Sequence, residues 1–119
     1  MKKIIILTLS ILLNCIFAFA SPFSFSFDEA TGEATLLSAE KSLSKAVVIP
    51  DSVENGGKYY AVTKIAKQAF AKCGKMETVK LPSKLKIIGP TAFAECSKLK
   101  SIVIPDGVDV IPHHCFFFC

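Results

Sequence analysis

The chain has 119 residues and a formal net charge of +4, with 14 basic residues, all of them lysine, against 10 acidic ones. A chain of this length holds one domain, and after Lys2-Lys3 its lysines are scattered singly along the chain instead of forming a basic face. Nucleic-acid binders usually carry clustered basic residues and use arginine for recognition, so the composition excludes that class of protein.

Residues 1–20 are predicted to be a secretory signal peptide. Two lysines form a basic start, an apolar run follows, and Ala18 and Ala20 are the small residues before cleavage at Ser21. The apolar run is shorter than the ~20 residues of a membrane span, so no membrane insertion is expected after cleavage. The alternative is acylation of Cys15, as in a lipoprotein. Asn14 disfavours it, because a small residue is expected before the acylated cysteine.

Residues 21–45 are predicted to form an N-terminal β cap and a connector. Phenylalanine alternates with serine from Phe23 to Phe27, which is the period-two pattern of a half-buried strand. Polar turn residues follow, and Ala34 to Leu37 is typical of a returning strand. The hairpin is expected to cover the first repeat, because a repeat buries its apolar face only against its neighbours.

Residues 46–119 repeat with a 23-residue period. The columns that carry the period hold identical or similar residues: Cys73, Cys96 and Cys119; Phe70, Phe93 and Phe116; Ile65, Ile88 and Ile111; Val62, Leu85 and Val108. The spacing Met76-x-x-Val79-x-Leu81 recurs as Leu99-x-x-Ile102-x-Ile104. A period of roughly 20–29 residues with this spacing predicts a leucine-rich-repeat solenoid.

The first of these repeats contains a loop insertion at 51–60. The strand-and-proline segment 46–50 matches the later ones, but the step from Pro50 to Pro82 is longer than the step from Pro82 to Pro105. The excess holds an Asn-Gly-Gly tight turn, and Tyr59 and Tyr60 follow it. Insertions in solenoids often add to a binding face, and a plain surface hairpin is the alternative.

Each repeat is predicted to contain a short strand, a turn and a single helical turn. In the complete repeat, 73–95, strand alternation points Val79 inward and Lys80 outward, and a proline ends the strand because it cannot donate to the ladder. Ala92 and Phe93 are predicted to lie on the helical turn, with alanine where that turn packs closely.

The repeat unit resembles the BspA-like, Treponema pallidum-type leucine-rich repeat. The matching residues are Cys73, Met76, Val79, Leu81-Pro82, Leu85, Ile88-Gly89, Ala92-Phe93 and Cys96. The resemblance covers 46–119 and implies an α/β leucine-rich-repeat solenoid, β-rich, with short parallel strands stacked at a 23-residue period and an N-terminal β-hairpin cap. It also implies a secreted or cell-surface bacterial protein, since several members are implicated in adhesion to host proteins or other cells.

The chain departs from that family in its last, incomplete repeat, 96–119. Family arrays are usually longer, and the last repeat here is expected to expose Ile102, Ile104, Ile111 and Phe116. Such an apolar end is liable to pair with another chain. The alternatives are a truncated member of the family and a structural block that self-associates through this end.

The leading functional hypothesis is a non-enzymatic module that binds a protein of a host matrix or another cell surface. The predicted binding residues are the outward positions beside the strand column, together with the insertion: Thr78, Lys80, Ser101, Val103, Tyr59 and Tyr60. No paired carboxylates, phosphate-binding glycine loop or Ser/His/Asp set is recognisable, so neither catalysis nor a cofactor is expected.

The cysteines admit two interpretations. An evenly repeated column (Cys73, Cys96, Cys119) predicts one local structural role, a buried thiol with its S–H near a backbone carbonyl, in the reduced form even though export permits disulfides. The segment 113–119 also has ligand types that suit zinc: His113, His114, Cys115 and Cys119. The repeat alignment disfavours a metal site, because Cys115 occupies the small-residue position held by Ala69 and Ala92.

Overall fold

The computed structural model describes residues 2–8 and 20–119, which form strands joined by tight turns. The strands are β1 (Lys2–Thr8), β2 (Ala20–Asp28), β3 (Glu33–Ala39), β4 (Ala46–Val48), β5 (Ser52–Asn55), β6 (Lys58–Ile65), β7 (Thr78–Lys80), β8 (Ile87–Ile88) and β9 (Ser101–Ile102). One sheet has the order β1-β2-β3-β6-β5, with β8 beside β6, and the other has the order β4-β7-β9. Most of the predicted signal peptide, including Cys15, lies outside the described residues.

An N-terminal hairpin is formed by β2 and β3, which pair antiparallel around a turn containing Gly32. Phe23, Phe25 and Phe27 point from β2 into the core and are buried, as their alternation with serine predicts. On one side, β3 pairs in parallel with β6, which attaches the hairpin to the first repeat. On the other side, the outer edge of β2 pairs antiparallel with β1.

Two parallel ladders stack successive turns of the chain. In one ladder Val79 pairs with Ile102, and in the other Lys64 pairs with Ile87; each of these steps along the sequence equals the repeat period. The step from Val47 to its partner Val79 is longer, because the insertion lies between these two strands. Equivalent side chains of neighbouring turns are therefore in direct contact, and each turn covers the apolar surface of the next.

The insertion is an ordered hairpin of β5 and β6, closed by Gly56 and Gly57. These glycines have φ of 62° and 82°, and two consecutive positive φ values are what a two-residue type I′ hairpin turn requires. The second strand of the hairpin continues without a break into the parallel ladder with β3 and β8. The insertion is thus part of the sheet.

The predicted helical turn is wrong, since the described residues contain no helix and so none that crosses a membrane. The chain instead makes consecutive tight turns, in which Ala69, Ala71 and Cys73 each donate to the carbonyl three residues earlier. Gln68 and Lys72 have φ of 60° and 66°. A right-handed helix needs negative φ at every residue, so these two residues interrupt it.

Non-glycine residues with positive φ recur in each following turn, at Thr91 and Glu95 and again at His114 and Phe118. The backbone groups that a helix would have paired internally are paired between turns instead. Phe70 N donates to Ala92 O at 2.7 Å, and in the next turn Phe93 N donates to Cys115 O at 3.0 Å. The turns are therefore held in register by hydrogen bonds in the stacking direction.

One file of phenylalanine rings runs through the core, as the repeat columns predict. The centroids of Phe70 and Phe93 are 5.1 Å apart, those of Phe93 and Phe116 are 5.6 Å apart, and both pairs are nearly parallel. Phe23 of the hairpin lies 6.0 Å from Phe70 and closes the N-terminal end of the file. The stack thereby joins the hairpin to the repeats.

Burial decreases towards the last turn of the stack. Phe93 is fully buried, whereas Phe116, Ile102 and Ile104 are half-buried and Ile111 is exposed. The predicted apolar end is therefore present in part: of the four residues expected to be exposed, Ile111 is exposed and the other three are half-buried.

Candidate functional site

The sheet of β4, β7 and β9 presents one face to the core and one to solvent. Val47 and Val79 point inward and are buried. The neighbouring positions on these strands point outward, and the exposed residues there include the predicted site residues Thr78, Lys80 and Ser101. Val103 follows β9 and is 82% exposed. The structure therefore brings four of the six predicted binding residues together on one surface.

Two residues that the sequence prediction left out complete this surface at the first turn. Ala46 pairs with Thr78 and Val48 pairs with Lys80, and Val48 is 64% exposed. The signal was available, since the segment Ala46–Val48 matches Thr78–Lys80 in the repeat alignment. We call the six-residue surface the ribbon: Ala46, Val48, Thr78, Lys80, Ser101 and Val103.

The ribbon combines apolar contact area with a single cation. Val48 lies beside Lys80 in the ladder. Val103 directly follows Ile102, the ladder partner of Val79, and the hydroxyl-bearing residues Thr78 and Ser101 pair with each other. Among the described residues Lys80 takes part in neither ion pair, so its ammonium group is open to an acidic partner. The exposed valines on the solvent face of the sheet make this surface a candidate for contact with a protein.

An ion pair borders the ribbon and fixes the charge beside it. Lys100 Nζ lies 3.0 Å from Glu77 Oε1, and the backbone of Lys100 donates to Glu77 O. The hydrogen bond from Lys100 lowers the pKa of the Glu77 carboxyl below its usual value. The charges of this pair offset each other, so Lys80 is the charged residue of the ribbon that has no ion-pair partner among the described residues.

The two tyrosines predicted for the site lie on β6 in the other sheet, and only one is accessible. Tyr59 is 65% exposed. Tyr60 is buried, with its ring centroid 4.9 Å from that of Phe27. The inclusion of Tyr60 in a binding surface is therefore wrong, because strand alternation turns it into the core beneath the hairpin.

The predicted cysteine column lies at the turns, with each sulfur near a carbonyl oxygen of the preceding turn. Cys96 Sγ lies 3.1 Å from Phe70 O, and Cys119 Sγ lies 3.0 Å from Phe93 O. Cys73 occupies the same position 3.8 Å from Glu40 O. The thiols thus donate weak hydrogen bonds between turns, and this geometry supports a structural role for the column.

Burial makes three of the cysteines, Cys73, Cys96 and Cys115, poor nucleophiles. Desolvation raises the pKa of Cys96 to about 12 and that of Cys115 to about 11, and it also raises the pKa of Cys73. Because the thiolate is the reactive and metal-binding form, these three cysteines are unsuited to catalysis at neutral pH.

The four residues of the metal hypothesis do not converge. His113 and His114 are exposed, with ring centroids 3.8 Å apart, whereas Cys115 is buried and Cys119 Sγ faces Phe93 O. Within the described part of the chain, no three His, Cys, Asp or Glu side chains are placed to hold a metal ion.

A polar network that sequence reasoning missed links the hairpin to the repeats. Buried Thr63 donates to Glu33 Oε1 at 2.7 Å, and Lys86 Nζ donates to Glu33 Oε2 at 3.1 Å. Both hydrogen bonds lower the pKa of the Glu33 carboxyl, and the bond from Thr63 has the larger effect. The three residues line an open cavity of about 390 Å³. Glu33 and Lys86 are 53 residues apart in sequence, so no local motif reveals the network.

The geometry agrees with comparisons with known proteins. Residues 40–119 match the family model described as BspA type Leucine rich repeat region (6 copies). A leucine-rich-repeat protein of T. pallidum has a structure that superposes with a TM-score of 0.71 and is 32% identical, over 82% of this chain and 44% of that one. The chain thus spans less than half of that relative.

Other solved structures show the same likeness. A leucine-rich repeat protein from Bacteroides capillosus ATCC 29799 has a TM-score of 0.68 and 32% identity, over 75% of this chain and 65% of that one. A leucine rich cell surface protein from Faecalibacterium prausnitzii A2-165 has a TM-score of 0.63 and 28% identity, over 72% of this chain and 22% of that one. No curated protein matches the sequence.

The stacked, strand-rich turns described above are therefore a leucine-rich-repeat fold. With the family model matching well over half of the sequence, the chain belongs to the family of BspA-type leucine-rich-repeat proteins.

Proposed function

We propose that the chain is an exported, non-enzymatic module that binds a protein through the ribbon. The observation that carries this proposal is the exposed row Val48, Lys80 and Val103 on a sheet whose opposite face packs on the core. Leucine-rich-repeat domains generally mediate contacts between proteins. A sheet fixed by its core holds the backbone of these residues in place before binding, so that only the side chains have to be ordered.

The chemistry of the ribbon indicates the kind of partner. Two exposed valines supply apolar area, and the lysine between them favours an acidic group at the centre of the contact. A protein of a host matrix or of another cell surface, with a carboxylate amid apolar side chains, would complement this surface.

Export is supported by the sequence of residues 1–20 and by a relative that is named as a cell surface protein. We infer that residues 1–20 are cleaved, that 21–45 form the cap and connector, and that 46–119 carry the repeats at a 23-residue period. Acylation at Cys15 is an alternative form of export, which mass spectrometry of the exported protein would distinguish.

The experiment measures binding of the mature chain, beginning at Ser21, to immobilised extracellular-matrix proteins by biolayer interferometry. Val103→Asp is expected to weaken any detected binding at least about tenfold, the effect of losing about 1.4 kcal/mol. Ile87→Asp is the control, because Ile87 is also an exposed β-branched residue on a strand, at 52%, and lies outside both the ribbon and the last turn. Equal loss in both variants would show that the ribbon assignment is wrong.

A second candidate is a structural block that self-associates through its last turn. The observation in its favour is a group of exposed apolar side chains there: Val110, Ile111, Phe117 and Phe118. The ring centroids of Phe117 and Phe118 lie 4.1 Å apart, and exposed apolar groups gathered in this way mark association surfaces. Phe118→Lys is expected to reduce association seen by light scattering if this candidate is right, and a chain whose association is unchanged by that substitution would refute it.

A further inference from the structure

The outer edge of β2 is an interaction surface that the ribbon does not involve. In the sheet order β1-β2-β3-β6-β5, the strand on that edge is β1, Lys2–Thr8. It pairs antiparallel with β2 from Lys2 opposite Asp28 to Ile6 opposite Ser24. The whole of β1 belongs to residues 1–20, the signal peptide that is proposed to be removed on export. Its cleavage would therefore remove the strand that pairs with this edge of β2.

Cleavage would leave β2 as an edge strand with a row of unpaired backbone donors and acceptors. Such an edge is a template for pairing unless charges, prolines or short length protect it. From Phe23 to Phe27 the strand contains neither lysine nor proline. By contrast, the edge strands β4 and β9 of the other sheet have three and two residues, too few to offer a comparable ladder.

We propose that in the mature protein this edge pairs with β2 of a second copy, antiparallel about a two-fold axis at Phe25. The structure shows that the edge accepts an antiparallel strand, and a two-fold axis makes two copies of one strand antiparallel. The proposal rests on the export part of the proposed function, because it requires that β1 be removed.

The side chains of β2 suit pairing with themselves. Directly opposed residues of antiparallel strands lie on the same face of the sheet, so an axis at Phe25 places Phe23 opposite Phe27 of the second copy and serine opposite serine. The pairing of β2 with β3 already follows this rule, with Phe25 opposite Leu36 and Ser24 opposite Ser38. The two sheets would join with their apolar faces on the same side.

Dimerisation through this edge gives a particle with two ribbons. Two linked sites bind a surface that displays many copies of a ligand more tightly than one site does, without any new contact. For a module that contacts a matrix or a cell surface, the edge therefore converts a modest single-site affinity into lasting attachment.

The test uses the mature chain, beginning at Ser21, in sedimentation velocity experiments over a wide range of concentration. A dimer that dissociates on dilution is expected. Ser24→Lys places a charge on the edge near its two-fold mate, and it is expected to raise the dimer dissociation constant about tenfold or more. Ser38→Lys is the matched control, because both substitutions remove the same 2.7 Å hydrogen bond between Ser24 Oγ and Ser38 Oγ, but only Ser24 is on the edge strand.

A peptide with the sequence of residues 2–8 provides a second measurement that needs no variant of the protein. It is expected to convert the dimer to a peptide-bound monomer, and the same peptide with Ile5→Pro is expected to do so less well, because proline removes a backbone donor. Competition by the peptide keeps the proposal testable even if Ser24→Lys does not fold.

Several results would overturn the proposal. The first is a mature chain that is monomeric at every concentration. The second is equal weakening of the dimer by Ser24→Lys and Ser38→Lys, and the third is loss of the dimer in Phe118→Lys. A monomer that nevertheless binds the peptide would also overturn it, since the edge would then take a foreign strand. Ligand binding lost in Val103→Asp with the dimer intact would separate failure of the ribbon from failure of the edge.

Discussion

Replacing Phe93 by alanine is expected to lower the free energy of unfolding by about 4 kcal/mol. The side chain is fully buried, and burial of an aromatic ring contributes about 2–3 kcal/mol. Its ring stacks between Phe70 at 5.1 Å and Phe116 at 5.6 Å, and each such contact adds about 0.5–1.5 kcal/mol. A folded domain is stable by only about 5–15 kcal/mol, so the substitution removes a large share of the total stability.

Phe116→Ala is the informative comparison, because Phe116 is half-buried and stacks on one ring instead of two. It is expected to cost about 2 kcal/mol, roughly half as much. Phe93→Leu should fall between the two, since leucine keeps most of the buried apolar volume and loses the ring contacts. The assay is urea unfolding of the mature chain followed by circular dichroism, with the midpoint and the slope both measured. Equal costs for Phe93→Ala and Phe116→Ala at an unchanged slope would refute the idea that the ring file is a continuous element of the core.

Four further predictions concern the turns and the polar network. Gly89→Ala should destabilise the fold severely, because a Cβ there would lie 2.5 Å from a backbone nitrogen, whereas Gly74→Ala should be tolerated, since its nearest neighbour is a serine oxygen 4.0 Å away; thermal unfolding of the two variants compares them directly. Thr91→Gly is expected to stabilise the protein by about 1 kcal/mol in urea, because a β-branched residue is strained at its φ of 55°, and a lower midpoint would contradict this. The folded-state pKa of Glu33 is lowered, so its contribution to stability is present above the ordinary carboxyl value and is lost as the pH falls through the folded pKa; Glu33→Gln should therefore flatten the acid side of a stability-versus-pH curve. In the native mature chain, beginning at Ser21, Cys119 is the exposed one of the four described cysteines and should react quickly with a thiol reagent, whereas the three buried cysteines should react after unfolding; absence of free thiol in the unfolded, unreduced chain would refute the reduced form.

The strands and the ring file could be predicted from sequence because equivalent residues of neighbouring turns contact each other and must therefore be similar in size and polarity. A ring at position 93 touches its equivalents at 70 and 116, so all three must be flat and apolar to stack. The inward positions Val79 and Ile102 are constrained in the same way by pairing in the ladder. The periodicity of the sequence therefore identifies the core residues directly.

The turn conformation could not be predicted, because the residues that adopt it carry no signal for it. Thr91, Glu95 and Lys72 have positive φ, a region that favours glycine, yet none of them is a glycine or an asparagine. Hydrogen bonds between turns, such as Phe70 N to Ala92 O, hold the strained backbone. Because those bonds join residues far apart in the chain, the local pattern of alanine and phenylalanine predicts a helical turn that the fold does not form.

The candidate site was predictable in part for a related reason. Alternation correctly placed Thr78, Lys80, Ser101 and Val103 outside, since it depends only on the direction of successive side chains. It also implies that only one of two consecutive tyrosines on a strand can face solvent, so the prediction of both tyrosines conflicts with the rule that placed the other residues. The network of Glu33 with Thr63 and Lys86 depends on which turns become neighbours, so it was accessible only from the fold.

The inward and outward columns of the sheet β4-β7-β9 differ in how strongly the fold constrains their residues. The inward column Val47, Val79 and Ile102 is uniformly apolar, because every member occupies the same kind of space between turns. The adjacent outward column changes from Val48 to Lys80, and no packing requirement of the fold accounts for a lysine between exposed valines. Because the core is indifferent to these side chains, a change there costs little stability and can alter the partner. If the ribbon binds a partner as proposed, substitutions there should change the affinity for that partner without changing the unfolding midpoint.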